Sequence, residues 1–426
     1  MIRIIECPSP AQAPELLGRK EEVQQQIDAV VSGILADVKA RGDDAVKQYT
    51  QRFDGAALSA LELPPAEMEA ARSRVDRRFL GVLEQAAENI RLYHSPQLRS
   101  GYMLTPRPGV VMGQRILPLE RVGVYVPGGT ARYPSTALMN IIPAKLAGVD
   151  EVLLVSPPGP DGAIPDDILA AAAIAGADRV FLMGGAQAVG ALSYGTASVP
   201  KVDKIVGPGN IYVATAKRMV YGLVDIDMIA GPSEVLIIAE GGSDPAHIAA
   251  DMLSQAEHDT LAASILVTTD RELAEKVSRE IEAQLAVLPR AEIARKSIDD
   301  NGAIFIVVSI DHALEVSNAI APEHLELCVD QPFDLLPQVR HAGSVFLGRH
   351  TTEALGDYFA GPNHTLPTNG TARFSSPLGV SDFVKASSFL SYDQKAMGAV
   401  AEDVALFAER EGLTAHARAA RSRKSN

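Results

Sequence analysis

Two patterns of hydrophobic positions alternate along most of the chain. Short apolar runs end in glycine or proline, and stretches with apolar residues at three- and four-residue steps follow them. The apolar runs predict strands at 122–126, 151–155, 180–183, 204–206, 264–268, 304–308, 325–329 and 344–347. The stepped stretches predict helices at 138–146, 168–175, 187–192, 272–285 and 312–320. This order predicts two α/β units with parallel sheets.

The two ends of the chain differ from this middle part. The first hundred residues predict amphipathic helices, and residues 101–119 carry three prolines and are predicted to be extended. Residues 361–379 form a loop-rich stretch, and one helix is predicted over 394–421 with Gly412 inside it. Residues from 379 onward hold too few apolar side chains for a core of their own, so we expect them to pack on another surface.

Composition excludes several classes of protein. The 426 residues include 39 basic and 53 acidic ones, and a net charge of −14 argues against nucleic acid or an anionic membrane as the partner. Cys7 and Cys328 are too few for a disulfide framework or a cysteine metal site. The start lacks a signal-peptide core, and no apolar run could span a bilayer. We therefore expect a cytoplasmic protein with no membrane partner.

A polar pair ends the helix that is predicted to follow Asp244, a good N-cap, and Pro245, which suits the first helical position. Gln255 and His258 stand three residues apart, so on a helix they share a face. An amide oxygen beside an imidazole could begin a metal site if carboxylates or further imidazoles join it. From spacing alone, a polar helix end with a hydrogen-bonded histidine is the simpler interpretation.

Four glycine-containing loops are predicted at the carboxyl ends of strands, where open α/β sheets bind ligands. They cover residues 127–129, 184–187, 207–210 and 231–234. Their glycines would let the backbone approach a phosphate or a ring. None completes the G-x-G-x-x-G pattern of a standard dinucleotide site, so turn glycines without a ligand remain an equal alternative.

Nine motifs follow one another in an order that resembles histidinol dehydrogenase. They are 122–129 (VGVYVPGG), 184–187 (GGAQ), 207–210 (GPGN), 230–234 (AGPSE), 254–258 (SQAEH), 323–325 (EHL), 356–358 (GDY), 363–368 (NHTLPT) and 413–416 (LTAH). The likeness runs from about residue 20 to His416. It implies a zinc- and NAD-dependent enzyme that oxidises L-histidinol to L-histidine through L-histidinal, with two NAD, in the last steps of histidine biosynthesis.

The resemblance also implies a role for individual residues. The zinc ligands would be Gln255, His258, Asp357 and His416. Glu323 and His324 would be the catalytic pair, with His324 taking the alcohol proton and Glu323 activating a water. Substrate would contact the zinc ligands, His324, Ser233 and Glu411. NAD would contact Tyr125, Gln187 and Asn210, and His364 is a candidate to support the metal ligands.

The fold class implied is α/β, with two Rossmann-like domains, an N-terminal helical arm and a small C-terminal helical segment. Residues 1–20 would form the arm. A first domain would join 21–121 to 233–378 and carry most of the zinc site, and 122–232 would form the inserted dinucleotide domain. Residues 379–426 would cross to the partner in a homodimer, so that Glu411 and His416 complete the neighbouring site.

Three alternatives remain at this stage. A paralogue with the same fold could oxidise another small alcohol, such as a sulfonated propanediol, although the carboxylate of Glu411 would disfavour a sulfonate. A zinc hydrolase could use Glu323 as its water base and would need no dinucleotide. A binding protein without catalysis is the third.

Overall fold

The computed structural model describes residues 1–6, 9–16, 24–128, 132–229 and 231–424. Cys7, Gly129, Ala230 and residues 17–20 of the predicted arm lie outside these ranges.

Fourteen strands and seventeen α-helices are assigned in these ranges. The strands are β1 (Arg3–Glu6), β2 (Tyr102–Arg107), β3 (Val110–Pro118), β4 (Arg121–Tyr125), β5 (Glu151–Ser156), β6 (Arg179–Leu182), β7 (Lys204–Val206), β8 (Asp225–Ile226), β9 (Glu234–Ala239), β10 (Ala263–Thr268), β11 (Ala303–Ile306), β12 (His324–Cys328), β13 (Ser344–Leu347) and β14 (Val384–Tyr392). The helices are α1 (Ala13–Leu16), α2 (Gln24–Arg41), α3 (Asp43–Asp54), α4 (Pro65–Arg74), α5 (Arg77–His94), α6 (Pro134–Ala147), α7 (Asp166–Ala175), α8 (Gly185–Tyr194), α9 (Ile211–Val220), α10 (Pro245–Ala256), α11 (Arg271–Leu285), α12 (Ala291–Asn301), α13 (Ile310–Ile320), α14 (Pro332–Leu335), α15 (Glu353–Leu355), α16 (Gln394–Arg410) and α17 (Thr414–Arg421).

Five parallel strands form a sheet in the order β6-β5-β4-β7-β8. After a charged first residue, each strand is almost entirely apolar, as expected for a parallel sheet that is covered on both faces. One face packs on α5, α6 and α7, and the other on α2, α8 and α9. The order of strands reverses between β4 and β7, which creates a crevice at their carboxyl ends.

A second, six-stranded sheet has the order β1-β11-β10-β9-β12-β13 and is also parallel. Without β1, its strands follow the same order as in the five-stranded sheet, although the two units share no sequence repeat. Helices α10 to α12 cover one face, and α13 covers the other. The strand that begins the chain, β1, pairs at its edge with β11.

The C-terminal segment extends a separate antiparallel sheet, β14-β3-β2, and continues into α16 and α17. The only buried cluster described between these two helices consists of Ala405, Ala408, Ala417 and Ala420. Leu390, Leu406 and Phe407 are 67%, 56% and 70% exposed. The segment has a small core of its own and presents large apolar side chains to solvent. That it packs on another surface stays a prediction.

The predicted α/β class with two parallel-sheet units is confirmed, and several details are corrected. The single predicted helix over 394–421 is two helices, because Gly412 adopts a positive φ of 79°. Helix α10 starts after Asp244 as predicted, with the Asp244 carboxylate accepting from the backbone N of Ala246. It ends at Ala256, so His258 lies in the following turn.

The packing of the N-terminal helices also differs from the predicted grouping. Residues of α2, α3 and α5 lie in the hydrophobic cores on the two faces of the five-stranded sheet. The sequence predicted instead that residues 21–121 share a domain with residues 233–378. An apolar stripe shows that a helix face is covered but does not identify the covering sheet. The arm, in turn, begins with strand β1, whose four residues were too short for a periodic signal. The division into domains stays a prediction.

Within the described ranges, none of the helices is long and apolar enough to cross a membrane.

Ile90 and Leu92 on helix α5 test whether the N-terminal helices stabilise the five-stranded sheet. Ile90 is 1% exposed in its core, and Leu92 is 76% exposed on the same helix. We expect Ile90→Ala to lower the free energy of unfolding by about 2–5 kcal/mol, because it leaves a cavity. Leu92→Ala should change it by at most about 0.5 kcal/mol. Chemical denaturation measures both, and equal effects would contradict the packing.

Candidate functional site

A cavity of about 2030 Å³ opens at the carboxyl ends of β4, β5, β6 and β7. Three of the predicted glycine loops follow β4, β6 and β7 and line it with Gly128, Gly185 and Asn210. The cavity therefore covers the crevice where the strand order reverses. The fourth loop, 231–234, follows β8 and leads into β9, so it connects the carboxyl edge of the five-stranded sheet to the amino edge of the other.

Tyr125 and Gln187 both line this cavity. The Tyr125 hydroxyl accepts a hydrogen bond of 3.0 Å from the backbone N of Gly185, and burial raises the pKa of Tyr125 to about 12. Gln187 is 1% exposed, and its Oε1 has no hydrogen-bond partner among the described residues. A buried orphan acceptor on a cavity wall suits a ligand that donates a hydrogen bond.

Asn210 caps helix α9. Its Oδ1 accepts from the backbone N of Tyr212 and of Val213, at 3.1 and 3.2 Å. The cap uses the amide oxygen, so the NH₂ group is the part of Asn210 that could donate to a ligand. The three residues predicted to contact a dinucleotide, Tyr125, Gln187 and Asn210, thus all line one cavity.

The corresponding crevice of the six-stranded sheet is filled. Arg349 forms ion pairs with Asp330 and with Glu240, the latter at 3.5 Å, and donates to Ser243 Oγ at 3.1 Å. Ser243 in turn donates to the carbonyl of Cys328 at the end of β12. Side chains therefore close this crevice, and the polar residues of interest lie at the opposite, amino edge of the sheet.

Glu323 and His324 lie at that amino edge, where β12 begins beside β9. His324 Nδ1 is 3.1 Å from the backbone carbonyl of Glu234, and a carbonyl can only accept, so Nδ1 carries the proton. The Glu323 carboxylate accepts from the backbone N of Glu234 at 2.9 Å. The two side chains therefore both face the site, although adjacent residues of a regular strand point to opposite faces.

Asp357 faces the other nitrogen of His324. It lies in a π-helical turn, Gly356–Ala360, a distortion that is frequent at functional sites. Its Oδ1 is 3.4 Å from His324 Nε2. Burial opposes the imidazolium, but Glu323, Glu353 and Asp357 outweigh it and raise the pKa of His324 well above its usual value. Burial opposes the ionisation of Asp357, but its interactions with His324, His364 and His258 together outweigh burial and lower the pKa of that carboxyl.

His258, Glu353 and Asp357 converge on one point. One ligand atom from each lies within 4.8 Å of the others, a spacing that fits a metal ion. Burial lowers the pKa of His258, which keeps the imidazole neutral and able to bind a metal. Burial raises the pKa of Glu353 to about 8, and its Oε2 has no hydrogen-bond partner in the described part of the chain. These three side chains could therefore hold a cation.

Gln255 supports the same interpretation. It is 1% exposed near the end of α10, and its Oε1 has no hydrogen-bond partner within the described ranges. An amide oxygen, an imidazole and carboxylates are a ligand set that zinc or a harder dication accepts. The unpaired oxygen therefore belongs to a residue that the resemblance implied as a zinc ligand.

A second buried carboxyl pair supports these ligands from behind. Asp251 and Glu326 are in hydrogen-bond contact. Burial raises the pKa of Asp251, whereas burial and the charge of Asp251 together raise the pKa of Glu326 well above its usual value. Asp251 accepts from Thr352 Oγ1 and Glu326 from the backbone N of Glu353, each at 2.7 Å. The pair therefore joins α10, β12 and the segment that carries Glu353.

His364 connects this site to the five-stranded sheet. Its Nδ1 is 3.0 Å from the backbone carbonyl of Asp357, and its Nε2 is 3.5 Å from Thr136 Oγ1 on α6. Asn363 donates to the carbonyl of Met139 on the same helix at 2.6 Å. The loop that holds Asp357 is therefore fixed against the helix that follows β4.

The structure does not bring every predicted residue together. Ser233 directly precedes Glu234, beside His324. Glu411 and His416 lie at the end of α16 and on α17, both exposed, and these helices pack on each other and on β14. Among the described residues of one chain, neither reaches His258 or Asp357 by a recorded contact.

Sequence reasoning missed Glu353, Asp251 and Glu326. Glu353 and Asp357 stand four residues apart, a spacing that places two carboxylates on one helical face and could have drawn attention to Glu353. Asp251 and Glu326 carry no such signal, because their contact joins segments that are distant in the chain.

Comparisons with known proteins agree on one family. A family model described as histidinol dehydrogenase matches residues 17–424. A histidinol dehydrogenase from Syntrophotalea carbinolica is 55% identical over 405 residues, 95% of this chain and 94% of the relative. One from Geobacter sulfurreducens is 53% identical and covers 96% of both chains. A crystal structure of histidinol dehydrogenase from Elizabethkingia anophelis superposes with a TM-score of 0.93 at 36% identity, covering 99% of this chain and 98% of that one.

The family model covers nearly the whole chain, and both relatives are more than half identical to it over at least 95% of its length. The chain belongs to the histidinol dehydrogenase family, oxidoreductases that act on a CH–OH group.

Proposed function

We propose that this chain oxidises L-histidinol to L-histidine through L-histidinal, in the last steps of histidine biosynthesis, with one zinc ion per subunit and two NAD. The observation that carries the proposal is the convergence of buried Glu353 with half-buried His258 and Asp357 beside His324. An alcohol needs a base at its oxygen and a fixed position for its carbon, and this cluster offers both.

The metal would be held by Gln255, His258 and Asp357, with His416 from the partner subunit as the fourth ligand and Glu353 close by. When bound, zinc supplies Lewis acidity for the imidazole and amine nitrogens of histidinol, and its charge offsets the neighbouring carboxylates. Ser233 and Glu411 would contact the substrate, as would His324. The orphan Oε1 of Gln255 and the neutral His258 support this ligand set.

His324 is the proposed base for the alcohol. The carbonyl of Glu234 fixes one proton on Nδ1, so Nε2, which faces Asp357 and the site, is the nitrogen that exchanges a proton with the substrate. The neighbouring carboxylates favour the imidazolium, so His324 acts as a base once their charge is offset. Nε2 takes the hydroxyl proton as the carbon loses its hydride, and it does so again from the aldehyde hydrate. Burial at 3% exposure keeps bulk water away from this transfer.

Glu323 is the proposed base for the water that attacks the aldehyde. Burial raises the pKa of Glu323 to about 8, far closer to the working range of a general base than an exposed carboxyl. The backbone N–H of Glu234 orients its carboxylate. Two adjacent residues therefore handle two different protons.

NAD would be held in the cavity at the crevice of the five-stranded sheet and would supply the hydride acceptor. Tyr125, Gln187 and Asn210 would contact it, with Gly128 and Gly185 allowing close approach of the backbone. The absence of a G-x-G-x-x-G sequence is compatible with this site, because three separate loops line the cavity.

A homodimer would complete each site. The exposed apolar side chains of the C-terminal segment and its small alanine core support packing against a second copy. This arrangement would carry His416 and Glu411 to the partner's His258 and Asp357, which they do not contact within one chain.

Metal removal tests the ligand set. We expect chelation to abolish turnover and zinc to restore it, and we expect His258→Ala to lose both bound zinc and activity. His312→Ala, which changes a half-buried histidine on α13 outside the site, should retain both. Zinc content by elemental analysis and turnover measure the two effects. Full activity in metal-free protein would rule out the site.

Subunit mixing tests the shared site. His324→Ala and His416→Ala proteins should each be inactive, because one lacks the base and the other a ligand. After subunit exchange, a heterodimer would hold one site with neither substitution, so part of the activity should return. Heterodimers that form but stay inactive would show that His416 does not serve the neighbouring site.

Glu323→Gln separates the two half-reactions. It keeps the shape and removes the base, so oxidation of histidinal should slow by about a hundred- to ten-thousandfold and oxidation of histidinol less. In the unaltered protein, histidinal oxidation should rise with pH through about 8, since the base must be ionised and is ionised above its pKa. Stopped-flow NADH formation from each substrate measures both.

His324→Ala is the matched comparison and should impair both halves, while both variants keep their zinc. This division of roles would be refuted if Glu323→Gln slowed the two half-reactions equally. It would also be refuted if histidinal oxidation by that variant still rose with pH through about 8.

A further inference from the structure

A buried ion pair lies behind the loop that follows β7. Lys217 on α9 contacts Asp227, which follows β8, and their side chains are 3% and 1% exposed. Removing two charges from water costs free energy that their attraction often fails to recover. Such a pair is therefore weak evidence for stability and calls for another role.

The other polar atoms of the pair bind a single residue of the loop. Lys217 Nζ donates to the carbonyl of Gly207 at 2.9 Å, and the backbone N of Gly207 donates to Asp227 Oδ2 at 2.7 Å. Both backbone groups of Gly207 are thus held by the pair. Without it, two buried polar groups would lose their partners.

Gly207 is also constrained on its other side. Its φ is 110°, and a Cβ at this position would lie 2.1 Å from the carbonyl oxygen of Tyr125. The loop therefore rests directly on the end of β4, across the crevice where the strand order reverses. Three residues further on, Asn210 caps α9 and lines the cavity.

We propose that Lys217 and Asp227 are positioning residues for the dinucleotide, because they fix Gly207 and through it hold Asn210 and the start of α9 against the cavity. The inference rests on the proposed use of NAD in this cavity. Neither residue has a recorded contact with the site at the start of β12. Their loss should therefore weaken the binding of NAD and leave the metal site intact.

Lys217→Met keeps the aliphatic stem and removes the ammonium group. We expect the dissociation constant for NAD to rise by about ten- to a hundredfold, since small displacements of positioning groups have effects of this size. Bound zinc should not change, and KM for NAD should rise far more than kcat falls. Calorimetric titration with NAD in the absence of histidinol gives a readout that does not depend on turnover.

Lys204→Met is the matched control. Lys204 is also buried, at 5% side-chain exposure, and pairs with Asp225 at 3.0 Å and Asp382 at 3.6 Å. It lies in the same sheet, at the opposite end of β7 from Gly207. This variant should lower the melting temperature as Lys217→Met does, yet bind NAD as the unaltered protein does.

Equal weakening of NAD binding in both variants, or none in either, would overturn the positioning role. If Lys217→Met does not fold, Asp227→Asn decides, because it keeps the side-chain shape and removes the charge; unchanged NAD binding in it would also overturn the role. An unaltered protein that binds zinc but no NAD would refute the proposed cofactor, and the inference with it.

Discussion

The parallel pairing of β9 with β12 is the constraint on which the site depends. Its register sets His324 opposite Val235, so Glu323 and His324 both lie beside Glu234. The backbone of Glu234 then donates to one side chain and accepts from the other. A slip of one residue would turn each side chain to the other face of the sheet and separate the pair. The proposed catalytic chemistry therefore follows from a register that apolar side chains on both faces maintain.

Around Glu323 and His324, the protein buries more carboxyl groups than it pairs with positively charged side chains. Burial raises the pKa of Glu323, Glu326 and Glu353, and His324 is the positive group that their charges favour. Such a cluster opposes folding unless it is protonated or meets a cation. These carboxyl groups already lie where a cation would bind, so little rearrangement is needed for one to enter. The burial of the carboxyl groups lowers the stability of the fold, a cost that proteins accept at functional sites.

The two parallel sheets show how one strand order can serve different purposes. In the five-stranded sheet the crevice between β4 and β7 is open and lined by glycine loops. In the six-stranded sheet Arg349 and its carboxylate partners occupy the equivalent place. Its functional residues lie instead at the amino edge, which faces α6 through His364 and Thr136. The connection through 227–233 brings the carboxyl edge of one sheet to the amino edge of the other.

The sequence by itself determined the α/β class, most strand positions, including Ser344–Leu347, and the start of α10 after Asp244, because periodicity and caps are local. Its ordered motifs identified the family and proposed Gln255, His258 and Asp357, which remain predictions as ligands. Only the tertiary structure decided that α2 to α5 cover the five-stranded sheet, that Glu353 joins the cluster, and that Asp251 meets Glu326. It also separated His416 from His258 within one chain. A pattern of apolar residues reports that a face is buried, whereas the identity of its partner depends on contacts between residues that are far apart in the chain.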